Sequence, residues 1–184
     1  MMKRICLALA FTLLATGTVA SKGRWKNFYS REHKVGFKYF ANWKLKKGES
    51  SAETPQDFKG VASVSPLQRA YRGTNFGDAS ATLSVGSVSK ETCKQASSTS
   101  TNPSKPRRVK MGHHWFYMVT SSEGAAGHFY ESTIYRTFHA GRCYQFDFIT
   151  DILNIGNFDR RTVRPVNDRK LSADLKAVIR SLYF

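Results

Sequence analysis

The stretch GHFYESTIYRTFHAGRCYQFDFIT, Gly127 to Thr150, reads as one long β-hairpin that turns at Ala140-Gly141. Aromatic and β-branched residues favour strands, and a glycine supplies the positive φ that a two-residue hairpin turn demands. With Ala140 and Gly141 as the loop, Phe138 falls opposite Cys143, Tyr135 opposite Phe146 and Thr133 opposite Phe148. The period of two then gathers Phe129, Thr133, Tyr135, Thr137, Tyr144, Phe146 and Phe148 on one face, rich in the cross-strand pairs that stabilise antiparallel sheets. This face is expected to be the core side. The other carries Arg136 diagonal to Asp147 among Tyr130, Ile134 and Ile149, and is read as mixed and partly covered.

Working outward, Val109 to Thr120 reads as a single strand with Trp115, Tyr117 and Val119 on one face, and Ser121 to Gly127 as the turn before the hairpin. Further strands are expected at Gly60 to Val64 and from Ala81 to Val88, with loops over Lys46 to Asp57 and Gln68 to Ala79. Val35, Phe37 and Tyr39 alternate with Gly36 and Lys38, and Ala41-Asn42 turns into Trp43 and Leu45, a first strand or hairpin. Ser21 to Lys34 reads as a basic arm or a short first element, and Glu91 to Ser98 as one or two helical turns. Ser97 to Arg108 is Ser, Thr, Asn, Pro, Lys and Arg almost throughout, the composition of an exposed loop. At the far end Ser172 offers an N-cap, and Leu175, Val178, Ile179 and Leu182 recur at helical spacing. Strands that run together with a terminal helix predict the α+β class: a central antiparallel sheet backed by helices, the C-terminal helix packed on it.

The N-terminus has the pattern of a secretory signal peptide: Met1-Met2-Lys3-Arg4, an apolar run from Ile5 to Leu14, and small residues up to Ala20, where cleavage is expected. Cys6 precedes the apolar run, the wrong place for a lipid anchor. No other segment reaches the ~20 apolar residues of a membrane span, so a soluble protein of the periplasm or cell exterior is expected. Residues 21–184 are the size of one domain. The formal charge of +16 remains +14 without Lys3 and Arg4, a balance that favours anionic partners. In an oxidising compartment Cys93 and Cys143 are expected to pair, closing a loop worth ~3–4 kcal/mol in chain entropy.

Two basic clusters are candidate binding residues: Arg107, Arg108 and Lys110, and Arg160, Arg161 and Arg164. Joined, they would form one positive face for an acidic protein or other polyanion at the cell envelope. Nucleic acid fits less well, because the core pattern uses most of the aromatics that could stack on bases. The competing reading is a secreted, nuclease-like hydrolase acting on a polyanion, in which His113, His114, His128 and Glu131, with Lys110 as phosphate clamp, would supply acid and base. On a strand, adjacent His113 and His114 would point to opposite faces, and no histidine pair has zinc spacing, so no metal is expected. Glu131 shares the core face by parity, which suits either a strand end open to water or an ion pair. No glycine-rich phosphate loop, nucleophile elbow or dinucleotide fingerprint occurs, and no cofactor is expected.

The segment Val35-Gly36-Phe37-Lys38-Tyr39-Phe40-Ala41-Asn42-Trp43-Lys44-Leu45 resembles the opening strand and Tyr-Pro-x-x-Trp turn of PsbP-like proteins, with Phe40 in place of the usual proline. Ile179-Arg180-Ser181-Leu182-Tyr183-Phe184 is similar to the closing helix and Ser-aromatic run of that group. The resemblance covers about a tenth of the chain. It implies an α/β/α-type sandwich around an antiparallel sheet and a non-catalytic adaptor role, and it carries over no catalytic residue.

Overall fold

The computed structural model describes residues 24–159 and 161–184; the expected leader at residues 1–20 and Arg160 lie outside the described residues. Among the described residues nine strands and two α-helices follow in order: β1 (Trp25–Ser30), β2 (Val35–Phe40), β3 (Trp43–Lys47), β4 (Phe58–Pro66), β5 (Phe76–Gly86), α1 (Lys90–Lys94), β6 (Arg107–Met111), β7 (His114–Ala125), β8 (His128–His139), β9 (Arg142–Leu153) and α2 (Asp168–Arg180). β3 to β9 form one antiparallel sheet in the order β3-β4-β5-β9-β8-β7-β6, and β1 and β2 form a separate two-stranded sheet. This is an α+β fold.

The β8–β9 hairpin has the register read from sequence, with Phe138 opposite Cys143, Tyr135 opposite Phe146 and Thr133 opposite Phe148. Its turn works because Ala140 and Gly141 both take positive φ, 45° and 79°, as a type I′ turn requires. Tyr135, Tyr144, Phe146 and Phe148 lie in the main core with Leu171, Leu175, Val178 and Ile179 of α2 and Phe28, Val35 and Phe37 of the small sheet. On the opposite face α1 and its flanks cover the sheet: Cys93 packs with Cys143 and with Phe58 of β4, while Ala96 meets Val119 and Ile134. Helical and loop layers thus sandwich the sheet.

Several expectations are corrected. The strand expected over Val109 to Thr120 is two strands, β6 and β7, because Gly112 (φ 59°) and His113 make a tight turn between them. His113 therefore sits in a turn, not beside His114 on a strand, and Arg107 and Arg108 belong to β6 rather than to a loop end. The turn expected over Ser121 to Gly127 shrinks to Ala126-Gly127 (φ 50° and 83°), since β7 runs on to Ala125. β2 and β3 are not a hairpin: β2 pairs with β1 and β3 with β4, so the Ala41-Asn42 turn carries the chain from one sheet to the other. The last helix begins a turn before Ser172, where Asn167 Oδ1 accepts the Lys170 N–H at 2.9 Å. Phe129, assigned by parity to the core face, is 52% exposed because it lies near the sheet's end, opposite Ile152.

The segment after α2 ties the two sheets together. Tyr183 exchanges backbone hydrogen bonds with Gly36 (2.9 Å each way), and Ser181 Oγ accepts the Lys38 N–H at 2.7 Å. The phenol end of Tyr183 lies against Gly36, where a Cβ would come within 2.3 Å of it. Phe184 then stacks on His139 at 4.1 Å. Cys93 and Cys143 are bonded, with Cα atoms 5.6 Å apart, fastening α1 to β9 across a separation of 50 residues. Replacing both cysteines by serine is expected to lower the unfolding free energy by about 3–4 kcal/mol. Urea unfolding of oxidised protein and variant checks this, since an unchanged midpoint would show the bridge to be energetically idle.

Candidate functional site

The β6–β7 hairpin places alternate β6 residues on opposite faces. Val109 and Met111 turn to the core, so Arg108 and Lys110 face the α1 side, opposite Tyr117 and Trp115 respectively. The Arg108 guanidinium lies over the Trp115 ring, 4.3 Å from its centre, and Trp115 remains 50% exposed. Ser89 caps α1 by accepting the Thr92 N–H at 3.1 Å, and the Cys93 bridge holds the helix against the sheet. Lys90 and Lys94 thereby border a cleft of about 180 Å³ with Arg108, Trp115, Tyr117 and Phe138. Lys94 is paired with Glu91 at 2.9 Å, a hydrogen bond that raises the pKa of the ammonium. Lys90, Arg108 and Lys110 form no ion pair among the described residues.

This arrangement suits carboxylates. A guanidinium stacked on an indole is partly ordered before a ligand arrives, and its N–H edges still point outward for bidentate bonding. The exposed indole adds an apolar platform beside them.

The structure divides the sequence-derived candidates. Arg107 projects to the other face of β6, on the side of Tyr135, where burial raises the phenol's pKa and Arg107 with Arg180 opposes it. Arg164 exchanges backbone bonds with Gly73 and Asn75, and Arg161 bonds its N–H to Asp159, so both precede the start of α2. The other end of α2, some ~20 Å along its axis, abuts Gly112 through the Arg180 carbonyl. Arg108 and Lys110 are thus together, and Arg161 and Arg164 lie at the opposite end of the molecule's long helix.

The hydrolase candidates are separated more widely. His113 is exposed in the β6–β7 turn. His114 Nε2 meets the Leu182 carbonyl at 3.1 Å, and burial lowers the ring's pKa. His128 Nδ1 lies 2.9 Å from Asp151 Oδ1 at the start of β8, and Glu131 is exposed nearby, a strand end open to water. His114 is level with His139 at the other end of β8, so about 36 Å of strand separates it from His128. These residues do not meet around one scissile bond. Among the described residues no three His, Cys, Asp or Glu side chains gather as a metal site.

Sequence reasoning missed a buried polar network on the α1 face. Asp147, 0% exposed, accepts hydrogen bonds from the Ser51 and Thr54 hydroxyls and, at 2.6 Å, from Gln145 Nε2. Gln145 also donates to the Glu53 carbonyl at 2.8 Å and accepts from Arg136 Nε at 2.6 Å, so its amide stands between the guanidinium and the Asp147 carboxyl. The Glu53 carboxylate accepts from Ser98 Oγ and the Thr99 N–H at 2.9 and 2.8 Å. The signal available in sequence was Asp147 itself, a carboxyl that shares a strand face with Ile134 and Ile149.

No protein-family model matches the chain, and no curated protein does. Among solved structures it is similar to a Bacteroides thetaiotaomicron protein, with 13% identity and TM-score 0.49 over 86% of this chain and 47% of that one. The present chain thus spans about half the length of that protein. It is also similar to Mycobacterium tuberculosis LpqN, described as involved in cell envelope biogenesis, with 15% identity and TM-score 0.43 over 88% of this chain and 83% of that one. A third is cyanobacterial PsbP from Synechocystis, with 9% identity and TM-score 0.39 over 92% of this chain and 98% of that one. The PsbP-like resemblance is one of fold only.

Burial raises the Asp147 pKa from 3.8 to about 6, against the hydrogen bonds from Ser51 and Gln145 and with help from the nearby Glu53 charge. The folded carboxyl therefore keeps its proton where the unfolded one has lost it, and its contribution to stability declines as pH rises from about 4 through 6. The loss is on the order of 3 kcal/mol. Asp147→Asn is expected to lack this component, so the stability of the variant relative to the parent should rise over the same window in urea titrations. A constant difference between the two from pH 4 to 8 would contradict the buried, protonated state.

Proposed function

We propose that this is an exported, non-catalytic binding protein that engages an acidic partner at the cell envelope through the cleft between β6, β7 and α1. The observation that carries the reading is the Arg108 guanidinium stacked on half-exposed Trp115, with Lys90 and Lys110 also free of ion pairs among the described residues. Most surface cations are solvated singly. Here two strands and a disulfide-anchored helix turn several toward one aromatic platform. The leader-like N-terminus and the formal charge of +16 support the same reading. Arg108, Lys110 and Lys90 supply charge, Trp115 orients Arg108, and Arg161 and Arg164 contribute only long-range attraction.

Poly-L-glutamate is a suitable probe. The Arg108→Ala/Lys110→Ala double variant is expected to bind it about tenfold more weakly than the parent at low salt and to show a shallower salt dependence. Arg161→Ala/Arg164→Ala should cost less than threefold, and circular dichroism should be unchanged in both. Equal losses from the two double variants would replace the localised site with diffuse attraction.

A further inference from the structure

β6 is the last strand of the seven-stranded sheet, paired with β7 on one side only. The β6–β7 turn has two residues, so its closing pair, Met111 and His114, exchanges hydrogen bonds, and alternate pairs outward do the same. The Val109–Phe116 and Arg107–Met118 pairs are therefore bonded to each other. Arg108 and Lys110 fall in the pairs between, so their backbone N–H and C=O groups point to the open edge. Among the described residues nothing hydrogen-bonds to them from outside. The two residues that offer a free ladder are thus the two of β6 whose side chains face the α1 side, and neither forms an ion pair among the described residues.

From this we infer that the partner binds as an added strand: an extended acidic segment of another protein pairs with β6 and becomes the eighth strand of the sheet. This rests on the binding reading above and specifies its geometry. Side chains of an added strand alternate between the same two faces as β6. Every second residue would stand beside Arg108 and Lys110 and should be Asp or Glu, while the residues between would stand beside Val109 and Met111 and should be apolar. The same charges disfavour a second copy of this chain on the edge, because Arg107, Arg108 and Lys110 would face one another. Cations also blunt edges against aggregation, as Lys44, Lys46 and Lys47 do on β3, the opposite edge. On β3, however, Glu49 answers Lys46 at 3.6 Å, whereas Arg108 lies on an exposed indole.

The test uses a capped hexapeptide of alternating glutamate and valine and two N-methylated derivatives of it, isomers of each other, one methylated at the glutamate nitrogens and the other at the valine nitrogens. All three have the same charge, but only one set of nitrogens can face β6. Strand addition predicts that one isomer binds at least tenfold more weakly while the other matches the unmethylated peptide. It also predicts slowed hydrogen exchange at the Arg108 and Lys110 amides, with Arg107, Val109 and Met111 unchanged. Lys110→Pro, which removes an outward N–H and leaves the β7 bonds intact, should weaken binding more than Lys110→Ala. Equal binding of all three peptides would overturn strand addition and leave the charged cleft standing. Retention of poly-L-glutamate with no binding of any hexapeptide would do the same. Dimerisation of the free protein through β6 would also overturn it.

Discussion

The twelve-pair ladder between β8 and β9 is the element on which the rest of the structure depends. Both strands lie inside the sheet and both of their central faces are buried, so the fold has to find cover on two sides. One side is aromatic and is closed by α2 and the β1–β2 hairpin, whose apolar residues merge with it into a single cluster. The other carries Arg136, Gln145 and Asp147, and a purely apolar cover there would leave each of them unsatisfied at several kcal/mol. The segment between β3 and β4 answers with Ser51, Glu53 and Thr54, and the one after α1 answers Arg136 with the Gln95 carbonyl and holds the Glu53 carboxylate with Ser98 and Thr99. These stretches lack regular structure, yet the buried polar centre of the sheet dictates where they lie.

The central hairpin was legible because its pattern is local: turn chemistry, alternation and β propensity agree over 24 residues. The β6–β7 turn was hidden by the same rule. Val109 and Met111 are odd-numbered and Phe116 and Met118 even-numbered, yet all four face the core. A two-residue turn imposes that parity change, and a reading that follows one parity through Gly112-His113 sees a single strand. The early part of the chain failed differently. Short-range signals give β2 and β3 correctly but do not say that they join different sheets, since β2 pairs with β1 before it and with Tyr183, almost 150 residues on, rather than with β3.

The candidate site was legible as residue types and not as a place. Arg107, Arg108 and Lys110 form one run of charge in sequence, but strand alternation sends Arg107 away from the other two. The partners that give Arg108 its setting, Trp115 and Lys90, come from another strand and from a helix held by a disulfide. The histidines named as acid and base candidates are spread along the sheet, from the β6–β7 turn to the start of β8. Here His114 closes a contact with the Leu182 carbonyl and His139 supports Phe184, both of them packing roles.

The bridge between Gly36 and Tyr183 also constrains how the molecule assembles in time. The β1–β2 hairpin reaches its permanent seat only when a segment almost 150 positions further along has arrived. A chain that emerges N-terminus first, from a ribosome or through a translocation pore, must keep Phe28, Val35 and Phe37 unsheltered until nearly all of it is through. Loop closure of that length is slow compared with local pairing, so early folding is confined to hairpins that can form on their own. The architecture thereby favours late, concerted closure and keeps the emerging chain threadable for as long as threading continues.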